Sequence, residues 1–128
     1  MKEQFVSYEI AKILQEKGFN ELCFRYYRIT PFSKNEQELC YAKSYGNQNE
    51  VSNIYLGVKK GIAAPLWQQV EEWLREKNIH LWIIPELDYN PIKYKSFITS
   101  NKIILEAGIY KSYEEARLAA INWALNLI

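Results

Sequence analysis

Apolar side chains recur along this chain with two different periods, and the switches between them mark out its elements. Val6, Ile10, Ile13 and Leu14 are spaced along one helical face, with Ser7 as the cap and Gly18 at the end. That spacing predicts a helix over 8–17, closed by a glycine stop with Phe19 folding back on Leu14. From 22 to 29 the period drops to two. Phe24, Tyr26 and Arg28 alternate with Cys23, Arg25, Tyr27 and Ile29, a strand with both faces occupied. A turn through 30–35 and a second alternating run over 38–45 complete a hairpin, and 46–50 follows as a polar loop. The segment 51–60 sits between readings: Val51, Ile54, Tyr55 and Val58 suit a helix, while Gly57 and the β-branched content oppose one.

In the second half Ala64-Pro65 opens a helix over 65–77, with proline at the first helical position. Leu66, Val70, Trp73 and Leu74 form its apolar stripe, and Glu71, Glu72, Arg75 and Glu76 face water. The apolar run Ile79 to Ile84 predicts a buried strand that breaks at Pro85. Lys93 to Thr99 and Lys102 to Ala107 follow as strands joined at Ser100-Asn101. Ser112 opens the last helix, 113–127, because its hydroxyl can bond the Glu115 amide while the Glu115 carboxylate reaches back. This helix has two apolar stripes: Ala116, Ala120, Trp123, Ala124 and Leu127 on one, Leu118, Ile121, Leu125 and Ile128 on the other. One sheet covers one stripe, so the other needs the N-terminal half or a second copy of the chain, and a homodimer is a candidate arrangement. The fold class is α+β. Its core is a helix-strand-strand-strand-helix unit, a three-stranded antiparallel sheet backed by two helices, with the N-terminal helix and β-hairpin packed against it. Trp73 and Trp123 are expected in the core.

Composition narrows the setting. A chain of 128 residues with 48% hydrophobic content fits a single domain over 1–128. Residues 1–61 carry 9 basic and 7 acidic side chains and 62–128 carry 7 and 8. A nucleic-acid-binding face would therefore have to arise from arrangement alone. The start Met1-Lys2-Glu3-Gln4-Phe5 lacks a signal-peptide pattern, and no apolar run approaches the roughly 20 residues that cross a bilayer, so a cytoplasmic location with no membrane partner is expected. Cys23 and Cys40 are then expected as free thiols acting as small apolar groups. The excess lies elsewhere: aromatic residues reach 15%, with 10 Tyr and 4 Trp. Tyr and Trp offer wide contact area at low entropic cost, so the surplus suggests a recognition surface.

Candidate chemistry is sparse. His80, the lone histidine, lies on a predicted strand, and with Cys23 and Cys40 it has no close ligand spacing, so no metal is expected. Glu71–Glu72 and Glu114–Glu115 are neighbours that diverge on a helix instead of converging on a substrate. The five glycines form neither a phosphate-cradling loop nor a nucleophile elbow. These observations predict a non-catalytic protein without a cofactor, binding a host protein or a small ligand through Tyr26, Tyr27, Trp67, Gln68 and Tyr94. The alternative is a nucleic-acid module, because Lys93-Tyr94-Lys95 interleaves cations with a stacking ring, joined by Lys102 and Lys111.

The order helix, three strands, helix over 64–128 is similar to the double-stranded-RNA-binding domain, and 112–127 matches the alanine-rich pattern of that family's last helix. Where that family places lysines against phosphate, this chain has Tyr113, Glu114 and Glu115 after Lys111. A second resemblance rests on Phe5-Val6-Ser7-Tyr8-Glu9-Ile10-Ala11, on Ala64-Pro65-Leu66-Trp67-Gln68-Gln69-Val70 with Trp73-Leu74-Arg75-Glu76-Lys77, and on Ser112-Tyr113-Glu114-Glu115-Ala116. These segments resemble a family of small proteins encoded by phages and prophages of gut Bacteroidales. The resemblance is weakest over 30–61, where the variable element would lie. It implies a phage-derived accessory protein of the host cytoplasm, one that could blunt a host defence, and it brings no catalytic residues.

Overall fold

Helices and strands fall largely where the two periods place them. The computed structural model describes residues 4–29, 37–46 and 61–128, with the backbone alone at 28, 29 and 37–46. Contacts divide the chain into two compact units, Met1–Val70 and Glu71–Ile128. The turn expected at 30–35, the loop beyond Gly46 and the undecided segment 51–60 lie outside the described residues.

In the first unit, helix α1 (Tyr8–Glu16) begins where the Ser7 hydroxyl accepts the Ile10 amide at 3.4 Å. It ends as Gly18 takes a φ of +90°. Phe19 N–H then donates to the Leu14 carbonyl at 2.9 Å and Gly18 N–H to Gln15 at 3.1 Å, the paired bonds of a Schellman stop. Ile10, Leu14 and Phe19 are buried. Strand β1 (Cys23–Ile29) is the centre of an antiparallel sheet, with β2 (Gln37–Gly46) on one side and β3 (Ile62–Ala64) on the other.

Strand β3 was not legible, and it delays the next helix. Ala64 pairs with Arg25, and the Pro65 carbonyl accepts the Val6 amide at 3.0 Å. With its carbonyl committed to that bridge, Pro65 precedes the cap instead of occupying the first helical position. Leu66 is the cap: its amide donates to Gln69 Oε1 at 2.9 Å, and its carbonyl accepts the Gln69 and Val70 amides. Helix α2 therefore runs Trp67–Glu76 and crosses the division between the units.

The second unit holds β4 (Ile79–Glu86), β5 (Lys93–Ser100), β6 (Ile103–Tyr110) and helix α3 (Tyr113–Asn126). The three strands form one antiparallel sheet in that order, with β5 central. Strand β4 does not stop at Pro85, which pairs with Tyr94 inside the ladder. As an edge strand β4 tolerates a residue with no amide to donate. The β5–β6 turn falls one residue later than expected, on Asn101 and Lys102, with φ of +48° and +69°. Two positive-φ residues make the hairpin turn that matches strand twist, so Lys102 is a turn residue and β6 starts at Ile103.

Helix α3 starts as expected, with the Ser112 hydroxyl accepting the Glu115 amide at 3.1 Å. Its packing differs from the expectation. Ala116, Ala120, Ile121, Ala124 and Leu125 are buried, drawn from both predicted stripes. The sheet takes the seam between them, and Leu118 and Trp123 lie at its two borders. Trp123 is 48% exposed, whereas Trp73 is 6% exposed with the Lys77 ammonium 4.7 Å from its ring centre. Half-buried Glu71 shows the same environment electrostatically: burial pushes its carboxyl above the ordinary value, against the lowering pull of Arg117 and Arg75.

Chemical denaturation should separate these positions. Trp73→Ala is expected to cost about 3–5 kcal/mol and Ser112→Ala about 1 kcal/mol. Trp123→Ala, at an exposed border, should stay within about 1 kcal/mol of the parent. Equal losses for the two tryptophans would contradict this packing.

Candidate functional site

The β4–β5–β6 sheet has one covered face and one open face, and alternation along β5 assigns its residues to them. Ser96 and Ile98 are fully buried under α3, and the Ser96 hydroxyl donates to the Ala116 carbonyl at 2.7 Å. Lys93, Lys95, Phe97 and Thr99 consequently point the other way. Register extends the open face across the sheet. Lys93 lies beside Glu86, Lys95 between Ile84 and Ile109, Phe97 between Trp82 and Glu106, and Thr99 between His80 and Ile104.

The centre of this face is a fixed aromatic pair. Trp82 and Phe97 stack with ring centres 6.2 Å apart and planes 14° from parallel. The indole Nε1–H donates to Thr99 Oγ1 at 3.1 Å, which fixes the ring's orientation. Trp82 is nevertheless 47% exposed, and Ile84, Ile104 and Ile109 around it are exposed as well. The charges are mixed. Lys95 Nζ approaches Glu106 Oε1 at 3.7 Å, and Lys93 lies 4.7 Å from the Tyr89 ring centre. An ion pair this exposed contributes little to stability; with Glu86 beside Lys93 and Glu106 beside Lys95 the face is close to neutral.

The residues predicted for binding are dispersed. Tyr26 and Tyr27 are 8% and 7% exposed, so the expectation of an accessible pair on β1 is corrected. β1 is the central strand of its sheet, and at Tyr26 and Tyr27 each of its faces is covered, while Phe24 is exposed. The Tyr27 hydroxyl donates to the Val6 carbonyl at 2.6 Å, and its ring meets Tyr8 edge-on at 5.8 Å. Trp67 is half-buried and Gln68 exposed, both on the first turn of α2 in the first unit. Tyr94, in the second unit, lies on the helix side of β5, edge-on to Tyr113 at 6.1 Å. Of the alternative set, Lys93 and Lys95 share the open face, each beside a glutamate. Tyr94 lies on the opposite face, Lys102 in the β5–β6 turn and Lys111 ahead of α3.

Trp82, Ile84, Phe97, Ile104 and Ile109 were missed as a group. The signal was present, since His80, Trp82, Ile84 and Glu86 alternate with Ile79, Leu81, Ile83 and Pro85. Apolar residues at both parities made the run read as buried on both sides.

The thiol at Cys23 is fully buried and donates to the Glu21 carbonyl at 3.4 Å. Burial, with Glu21 adding to it, pushes its pKa from 9.0 up to about 12. Such a thiol is a poor nucleophile at neutral pH. Burial likewise raises the Tyr27 phenol, with Glu9 contributing. His80 and Cys23 belong to different units. Among the described residues no three of His, Cys, Asp and Glu are grouped to hold a metal ion, and no helix is long and apolar enough to cross a membrane. Comparison with family models, curated proteins and solved structures finds no match to this chain.

The raised Cys23 and Tyr27 values have a signed consequence. Both groups are held neutral in the folded state: the stability that Cys23 contributes is present below its ordinary value of 9.0 and is lost as pH climbs toward about 12, and that of Tyr27 falls in the same direction as pH rises above 10.0. Urea midpoints measured up that range should fall, and Cys23→Ala should flatten the fall. An identical slope in the variant would contradict a buried, neutral thiol.

Proposed function

We propose that this chain is a non-catalytic binding protein that recognises a partner protein through the open face of the β4–β5–β6 sheet. The observation that carries this reading is the Trp82–Phe97 stack, in which Trp82 is oriented by a hydrogen bond yet half in solvent. A buried ring pair serves the core, whereas a fixed and exposed one presents area whose ordering entropy has been lost before a partner arrives. Ile84, Ile104 and Ile109 extend the apolar centre, and Lys93, Lys95, Glu86 and Glu106 provide a polar surround, the anatomy of a protein interface.

Charge favours a protein over a phosphate backbone. The two lysines of this face each lie beside a glutamate, which weakens the counterion release that drives nucleic-acid affinity. A small ligand would be better served by a concave pocket than by a sheet face. With the phage origin that the resemblance implies, the partner would be a host protein and the consequence a blunted defence.

The test is capture from host lysate by the parent and by Trp82→Ala, followed by titration with the purified partner. A partner bound through this face should lose at least about 30-fold in affinity on Trp82→Ala, the scale of an aromatic hot spot. Equal capture by both proteins would contradict the reading. A captured nucleic acid that salt strips away would replace it with the nucleic-acid alternative.

A further inference from the structure

Strand β6 keeps its alternation for only part of its length. Phe97 pairs with Glu106 and the next rung joins Ser96 to Gly108, so Ala107 has no partner across the ladder. This bulge reverses which residues face out. Ile104 and Glu106 precede it on the open face; Ile109, opposite Lys95, follows them there, and Tyr110 goes to the helix side beside Tyr94. Unbroken alternation from Glu106 would instead put Gly108 on the open face and turn Ile109 toward α3.

Tyr110 braces the bulge twice. Gly108 takes a φ of +125°, and a Cβ there would come within 3.1 Å of Tyr110 Oη and 3.3 Å of the ring carbons Cε2 and Cζ. The ring therefore lies across the glycine, in space that a side chain would contest. Its hydroxyl donates to the Ala107 carbonyl at 2.5 Å, bonding the residue that the ladder leaves out. What this arrangement achieves is a 43% exposed isoleucine. Burying Ile109 would stabilise the fold, whereas the bulge turns it to water in the row of Ile84 and Lys95. Bulges are over-represented beside functional sites, where they re-aim a side chain. We propose that Tyr110 is a positioning residue of the recognition face: by holding the bulge it keeps Ile109 outward, and Ile109 is an anchor that the partner meets on β6. The inference rests on the open face being the partner's surface. It adds a residue that acts from the opposite side of the sheet.

Hydroxyl-radical footprinting of the full chain tests the positioning without any partner, with circular dichroism to confirm folding. Tyr110→Phe keeps the ring and removes the hydroxyl bond, so oxidation of Ile109 should fall toward that of buried Ile98 while Trp82 stays as in the parent. Deleting Ala107 restores a regular ladder in which Ile109 faces outward by alternation alone. Tyr110→Phe added to that deletion should therefore leave Ile109 as oxidised as in the parent. Equal oxidation of Ile109 in the parent and in Tyr110→Phe overturns the proposal. So does an equal fall with and without the deletion, which a merely structural ring contact would give. For recognition, the purified partner captured by the parent should bind Ile109→Ala and Tyr110→Phe about tenfold more weakly. A partner that needs Trp82 yet binds Ile109→Ala at full strength overturns the anchor role and leaves the reading above intact. Should Trp82→Ala have no effect, that reading fails, and the footprint still decides the positioning.

Discussion

One contact decides which face of the second sheet works and which is buried: the seating of Ser96 and Ile98 beneath α3. Among the described residues Ser96 is the polar side chain in the buried class, and its hydroxyl is satisfied by the Ala116 carbonyl at 2.7 Å. An unsatisfied hydroxyl there would cost roughly 1–3 kcal/mol, so the bond also fixes where along the sheet the helix sits. Once β5 is seated with those two residues inward, its pleat sends Lys95, Phe97 and Thr99 outward. The neighbouring strands then follow by register. A slip of one residue would exchange the faces, burying two lysines and exposing Ile98.

The same constraint explains how the unit can be stable with so much apolar surface in water. Helix α3 packs on one face, and Ala116, Ala120 and Ala124 let it approach closely. What lies beyond that contact is left exposed: Trp82 and Ile104 on the open face, Leu118 and Trp123 along the borders of α3. Contiguous exposed apolar area of this kind marks interaction surfaces more often than it marks neglect.

Much of this was legible because local chemistry wrote it. Ser7, Gly18 and Ser112 act through bonds within four or five residues, and the caps appear as read. The strands of the second half were found by composition, and their ends moved by one to three residues where pairing outweighed propensity, as at Pro85. The failures have a common cause. Tyr26, Tyr27 and Trp123 were placed from residue type, yet exposure depends on what packs above each position, and that is set by residues far away in the chain. Strand β3, three residues long, is too short to show a period at all. The candidate face was hidden for a related reason: in Ile79 to Ile84 both parities are apolar, and only the position of α3 tells which one is covered.

Hydroxyl-radical footprinting read by mass spectrometry, on the dilute monomeric chain, tests most directly whether one sheet face stands open. With the arrangement described, Trp82 and Ile104 should be oxidised rapidly while Trp73 and Ile98 are protected. Trp82 as strongly protected as Trp73 would mean that the face is covered within the chain itself, and the account built on it would fail.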